Sequence, residues 1–310
     1  MHRKESFWKG FWQLADPKIW IASTVPMLLG TALAFGLTGS FNLYWFAAAL
    51  TGIYLIEIGK NAANEVVDYQ SGVDRFVTPE NRTPFSGGKK TIVDGLLTVA
   101  EARLIAAVTL TAGGLVGLYI VFFREPLVFW VGILGMFFAI FYSLPPLKFS
   151  YRGFGEAAVG ITFGPLITSG AFLVQAHTLS PLVVLASLPI GFLIANVLWI
   201  NQYPDYEADK KGRKLNGVVR LGKERGVGVF AGLFGAAYLF LVILFAASGN
   251  PFWLLPFLTL GLVNRAVRVA REHYQNLPRQ LEANLRTIQT YQLAGAAMVV
   301  AALLSRATLF

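Results

Sequence analysis

Hydrophobic residues in this chain come in long runs free of charged residues, as at 105–123 and 229–248, with neither the alternation of a half-buried strand nor the single stripe of a surface helix. Each run can cross ~30 Å of hydrocarbon at ~1.5 Å of helical rise per residue. A helix also satisfies its own backbone hydrogen bonds, which lipid cannot do for it. The pattern predicts spans near 17–37, 42–66, 101–123, 126–144, 154–176, 179–203, 225–248, 250–268 and 287–308. The expected fold class is an all-α membrane protein of about nine transmembrane helices, with 1–310 a single integral-membrane domain. Ahead of the first span, Phe7, Trp8, Phe11 and Trp12 recur at i, i+4 and predict an interfacial helix. The short apolar core and small-residue cleavage site of a signal peptide are missing there. Pro26 is expected to kink the first span, and Gly228, Gly232 and Gly235 to form a close-packing stripe on the seventh. Segment 268–286, mixing Arg, Glu and Leu, reads as an interfacial connection.

Composition agrees: 55% of residues are hydrophobic and only 14% charged, where a soluble domain carries roughly 25% charged residues. With the N-terminus inside, all but Arg124 and Arg306 of the 26 Lys and Arg fall on cytoplasmic segments or adjoining helix ends. That asymmetry predicts a cytoplasmic N-terminus and an external C-terminus in the cell (inner) membrane. It also accounts for the net charge of +9 through topology, with no nucleic acid and no obligate protein partner implied. The absence of Cys and the scattering of the three His rule out thiolate and His-cluster metal sites. Connections on the outer side are short (37–41, 248–251), whereas those on the inner side are long (68–100, 204–224) and carry nearly all the Asp.

Two polar motifs stand out against this apolar background. The second span ends in Glu57, Lys60, Asn61, Asn64, Glu65 and Asp68, followed by Asp74. At ~100° per residue, Glu57, Asn61, Asn64 and Asp68 lie within about 60° of one another on a helix. Acidic groups on a membrane helix are costly and mark function by default. A helix end in which Glu57 merely pairs with Lys60 would leave the asparagines unexplained. The sixth span ends in Asn201, Asp205 and Asp209, followed by Lys210, Lys211, Arg213 and Lys214. Asn201 and Asp205 each follow Asn64 and Asp68 by 137 residues, the spacing of a diverged internal repeat. Pro204 is expected to kink or end its helix. Asn and Asp oxygens select a hard cation, most naturally Mg²⁺, which completes its shell with water and substrate phosphate. A diphosphate headgroup on a long apolar tail matches both the acidic motifs and the lipid-like surroundings. A secondary transporter for an anionic lipid or metabolite is the competing reading, although transporter sites sit nearer the midplane.

The two motifs, Asn64-Glu-Val-Val-Asp68-Tyr-Gln-Ser-Gly-Val-Asp74 and Asn201-Gln-Tyr-Pro-Asp205-Tyr-Glu-Ala-Asp209, resemble the Asp-rich motifs of UbiA-superfamily intramembrane prenyltransferases. The resemblance covers nearly the whole chain. It takes in Tyr142-Ser143-Leu-Pro-Pro-Leu-Lys148, Tyr151-Arg-Gly-Phe-Gly155-Glu156, Gly212-Arg-Lys214 and Val219-Arg-Leu-Gly222. The six-residue step from Asp68 to Asp74, with Ser86-Gly87-Gly88 and Tyr151-Arg152-Gly153, resembles the 1,4-dihydroxy-2-naphthoate polyprenyltransferases of menaquinone biosynthesis. Two departures are Glu65, where Asp often follows the first Asn, and Lys89-Lys90 after the glycines. The resemblance implies a helical bundle around a central cavity and Mg-dependent transfer of a polyprenyl group from prenyl diphosphate to an aromatic acceptor. It implies that Asn64, Asp68, Asp74, Asn201, Asp205 and Asp209 hold Mg²⁺ and diphosphate. Lys148 then lies near the diphosphate, with Arg75 and Arg152 as further basic candidates and Tyr142 and Ser143 on the acceptor side. Other acceptors in reach of such a fold are 4-hydroxybenzoate, homogentisate, a tetrapyrrole and a glycerol-phosphate lipid.

Overall fold

The computed structural model describes residues 2–78, 81–85 and 88–305, with His2 and Arg3 as backbone only. Every described regular element is helical. The chain runs α1 (His2–Ala15), α2 (Ile21–Thr38), α3 (Leu43–Ser71) and the short α4 (Val73–Phe76). It continues through α5 (Val99–Phe123), α6 (Val128–Phe141), α7 (Gly155–Ile161) and α8 (Ile167–Ala176). The long α9 (Pro181–Lys211), short α10 (Gly217–Leu221), α11 (Lys223–Ser248), α12 (Leu260–His273) and α13 (Leu277–Leu304) complete it. A π-helical turn, Thr162–Leu166, carries Pro165 and joins α7 to α8. Among the described residues, seven helical segments are long and apolar enough to cross a membrane. Of the nine expected spans, α6 is shorter than that, at 14 residues, and α3 carries too many polar groups in its second half. The all-α membrane architecture stands; the count of nine does not go beyond these seven.

Close approach between helices is made where a Cβ would not fit. A Cβ on Gly30 of α2 would lie 2.2 Å from the Thr168 carbonyl oxygen of α8, and one on Gly36 2.1 Å from that of Ala302 on α13. Glycines thus let backbones touch where lipid gives no hydrophobic drive to association. The stripe expected on α11 does not do this: Gly228, Gly232 and Gly235 face open space. Segment 268–286 is a helical hairpin: α12 reaches His273, α13 starts at Leu277, and Arg265 meets Glu282 across it through 2.9 Å hydrogen bonds.

Pro204 neither ends nor breaks α9, which runs on to Lys211. A proline in a helix leaves the carbonyl four residues earlier without its donor. Here that carbonyl, of Ile200, accepts from Asn284 Nδ2 at 3.1 Å, and the same amide group donates to Asn201 Oδ1 at 2.8 Å. The helix therefore carries Asn201, Asp205 and Asp209 on one continuous face.

As the aromatic spacing predicts, α1 is a helix, with Trp8 and Trp12 about half exposed. It is tied to the segment before α5 by Ser6 Oγ donating to the Leu96 carbonyl (3.1 Å) and Gln13 Nε2 to that of Lys89 (2.8 Å).

Candidate functional site

The site lies where the ends of α3 and α9 meet the segments that follow them. A Cβ on Gly212 would lie 2.2 Å from Val73, so α4 sits directly against the end of α9. This contact brings the two motifs together and buries Asp68, Asp74, Asp205 and Asp209, none more than 7% exposed.

Asp68 is the hub. Its Oδ1 accepts from the Tyr151 hydroxyl at 2.6 Å, and its Oδ2 accepts from Asn64 Nδ2 at 2.9 Å and Lys214 Nζ at 2.8 Å. Ser143 Oγ donates to Asn64 Oδ1 at 2.6 Å, fixing the amide orientation that serves Asp68. In the second motif, Asn216 Nδ2 donates to Asp209 Oδ2 at 2.7 Å while Asn216 Oδ1 caps α10 by accepting from Val219 N at 2.9 Å. Lys148 and Lys214 hold their ammonium groups 5.2 and 5.5 Å from the centroid of the Tyr151 ring. Burial alone would lower the Lys214 ammonium, but Asp68 and then Asp209 hold it well above its ordinary value. It is charged, and it bridges the two motifs. The Tyr151 hydroxyl is pushed up by burial and then by Asp68, so it stays a donor.

Asp74 is held by a different device. Gly88 is pressed against it so closely that a Cβ there would lie 2.1 Å from Asp74 Oδ1. The loop carrying Gly88 is fixed by Glu65, which is 1% exposed. Glu65 Oε2 accepts from the backbone N–H of Lys89 (3.0 Å) and Lys90 (3.1 Å). Its Oε1 accepts from Thr91 Oγ1 (2.9 Å) and Ile92 N (3.2 Å). The departure at Glu65 is thereby explained: the longer carboxylate reaches the loop. Lys89 and Lys90 are not free cations either, since Lys89 pairs with Asp16 and Lys90 Nζ donates to the Gly88 carbonyl at 3.1 Å. Ser86 and Gly87 lie outside the described residues.

The cluster suits a divalent ion. Asp74 Oδ2 is buried without a hydrogen-bond partner, and burial, then Asp68 and Glu65, push its carboxyl up to about 8. A buried carboxylate left short of positive charge costs several kcal/mol. Among the described residues no three His, Asp or Glu converge on one point. Mg²⁺ needs only one or two carboxylates and completes its octahedron with water and phosphate.

Not all the basic candidates gather here. Arg75 is exposed and stacks 4.3 Å above the Tyr69 ring, and Arg152 is exposed. Beside the polar cluster lies a cavity of about 170 Å³ among α2, α3, α5, α6, α7 and α8. Its walls are apolar (Met27, Ile53, Val116, Phe163, Leu166 and others), and its polar lining includes Tyr142, Lys60 and Glu57. Tyr142 lines the cavity and its neighbour Ser143 holds Asn64, so the two compartments adjoin.

Fold and site define a multi-pass membrane protein with a buried acidic centre next to a lipid-like chamber. The chain belongs to the UbiA prenyltransferase family, whose model matches residues 23–304, and it is a prenyltransferase. It is 29% identical over 308 residues to 1,4-dihydroxy-2-naphthoate octaprenyltransferase of Bacillus subtilis (strain 168), covering 98% of this chain and 95% of that one. It is 30% identical over 277 residues to the protein of the same name from Escherichia coli (strain K12), covering 84% and 87%. Among solved structures, it is similar to a UbiA homolog from Archaeoglobus fulgidus bound to GPP and Mg²⁺. The TM-score is 0.65 and the identity 16%, with 96% of this chain and 99% of that one covered. The apo UbiA homolog from Aeropyrum pernix K1 gives a TM-score of 0.68 at 17% identity, covering 91% and 98%.

Sequence reasoning missed four of the side chains that build the site. Tyr151 and Lys214 were visible only as members of family-like strings, and their convergence on Asp68 spans 83 and 146 residues. Asn216 and Asn284 carry no local signal beyond being polar near apolar runs.

Proposed function

We propose that this enzyme transfers a polyprenyl group from prenyl diphosphate to 1,4-dihydroxy-2-naphthoate, with loss of CO₂, at the cytoplasmic side of the cell (inner) membrane. The observation that carries this reading is the junction of a carboxylate-and-lysine cluster with an apolar cavity. A diphosphate belongs in the first and an isoprenoid tail in the second. The A. fulgidus homolog was solved with just such a ligand and Mg²⁺, and the named bacterial relatives supply the acceptor.

Asn64, Asp68, Asp74, Asn201, Asp205 and Asp209 are the residues to hold Mg²⁺. Mg²⁺ held there would supply neutralising charge to the diphosphate. The chain does the rest. Lys148 and Lys214 add fixed positive charge beside Tyr151, and Tyr151 and Asn64 hold Asp68 in a single orientation. Such preorganised groups favour the charge that develops as the allylic C–O bond breaks. The rings of Tyr142, Phe138 and Phe163 line the cavity where the allylic cation forms, and aromatic faces stabilise cations. Arg75 and Arg152, exposed and next in sequence to Asp74 and Tyr151, add positive charge that favours the approach of anionic substrates. The test is prenylation by the purified protein in liposomes, offering 1,4-dihydroxy-2-naphthoate beside 4-hydroxybenzoate and following CO₂. One CO₂ per prenyl group transferred is expected; prenylated 4-hydroxybenzoate without CO₂, or turnover with neither acid, overturns the acceptor assignment.

A further inference from the structure

The diphosphate site leaves two ionisable groups of the cavity, Glu57 and Lys60, unexplained. Glu57 is 5% exposed and lines the apolar chamber, about 10 Å further along α3 than Asn64 at ~1.5 Å per residue. Its Oε2 accepts from Ser23 Oγ at 2.6 Å, and its Oε1 has no hydrogen-bond partner among the described residues. Three residues on, and so on the same face of the helix, Lys60 places its ammonium 5.5 Å from the Tyr142 ring centroid and makes no salt bridge among the described residues. Ser23, Glu57, Lys60 and Tyr142 all line the same cavity. An isoprenoid tail has nothing to offer these groups, and burying charge beside it is expensive unless something pairs with the charge. A pocket that is apolar but for one acid, one cation, one phenol and the hydroxyls of Ser23 and Thr162 suits a flat aromatic ring bearing a hydroxyl and a carboxylate.

We propose that Glu57 and Lys60, oriented by Ser23 and Tyr142, form the acceptor subsite; this rests on the prenyl-transfer reading above. Lys60 pairs with the ring carboxylate, and Glu57 is the base that takes the proton of a ring hydroxyl. The O–H pair moves into the ring as a carbonyl forms. The ring carbon bearing the carboxylate bonds to the first carbon of the prenyl group, whose C–O bond breaks with its electron pair leaving on diphosphate. The resulting keto intermediate then loses CO₂, the C–C pair restores the aromatic ring, and the oxygen recovers its proton from Glu57. No oxidant or reductant is consumed, and Glu57 ends as it began.

Glu57→Gln should lower turnover about 100-fold or more, the usual worth of a positioned base, while Mg-dependent binding of prenyl diphosphate stays as in the unaltered enzyme. That loss should shrink at least about tenfold with a ring-fluorinated acceptor whose hydroxyl is already ionised, since such an acceptor needs no base. Lys60→Met should weaken binding of the aromatic acid, measured by equilibrium dialysis without prenyl diphosphate, about tenfold or more, the worth of a desolvated charge pair. The methyl ester of the same acid should bind both proteins alike. A Glu57→Gln loss equal on all acceptors, lost prenyl diphosphate binding in that variant, or a Lys60→Met defect shared by acid and ester would overturn the subsite. Lys60-dependent binding of the acid without prenyl transfer to it would uphold the subsite and refute the wider functional reading instead.

Discussion

Removing Glu65 tests how the site is built without touching any group assigned to metal or substrate. Glu65→Ala deletes a buried carboxylate that accepts four hydrogen bonds, three of them from the backbone N–H groups of Lys89, Lys90 and Ile92. Each buried donor left unsatisfied costs about 1–3 kcal/mol. Allowing for partial relaxation and water entry, the loop should lose about 3–6 kcal/mol of local stability. At about 1.4 kcal/mol per decade, amide exchange at 89–92 should quicken by about two to four orders of magnitude while α9 and α13 stay protected. Gly88 then no longer backs Asp74, and prenyl transfer should fall with the loop. Glu65→Gln should fare little better, since its amide would present a donor to N–H groups. The assay is hydrogen exchange with mass spectrometry in nanodiscs beside turnover on the same preparation. Unchanged protection at 89–92, or full activity with the loop released, would refute the reasoning.

Gly88→Ala should reduce activity and Mg²⁺ affinity with helicity unchanged, because its Cβ would lie 2.1 Å from Asp74 Oδ1; wild-type affinity would contradict this. The Asp74 carboxyl is raised from 3.8 to about 8, so without metal the folded state keeps a proton that the unfolded chain releases. Stability of the metal-free protein should therefore fall as pH rises from about 4 to about 8 and level off above. Apparent Mg²⁺ affinity, read by titration at pH 6 to 9, should rise with pH until about 8, and Asp74→Asn should make that rise shallower. Because the chain has no cysteine, single cysteines report topology cleanly. One at Thr178 should react with an impermeant maleimide from outside, and one at Asn81 only from the cytoplasm; the opposite labelling would invert the placement of the site.

The helices were legible because hydrophobic run length is a local property, and so were the acids, because charge beside such runs is conspicuous. What was not legible depends on contacts distant in sequence. Pro204 reads as a helix breaker until Asn284 is seen to take the Ile200 carbonyl. Lys89 and Lys90 stand in the sequence only as a departure from the family pattern; the fold shows Asp16 and the Gly88 carbonyl holding them. The α11 glycines read as a packing seam, yet spacing does not say which face meets a neighbour. Glu57 illustrates the converse: its burial could be read from the sequence, but only the cavity shows what it faces.

The central claim is that the two acidic motifs act together on one Mg²⁺-bound diphosphate. It is tested most directly by equilibrium binding of a labelled prenyl diphosphate to the purified enzyme and to Asp68→Ala and Asp205→Ala, each with Mg²⁺ and with excess chelator. The account predicts tight binding by the wild type only with Mg²⁺, and a loss of at least about 2 kcal/mol, some thirtyfold, in each variant. Binding that survives chelator, or that either variant keeps, would contradict it.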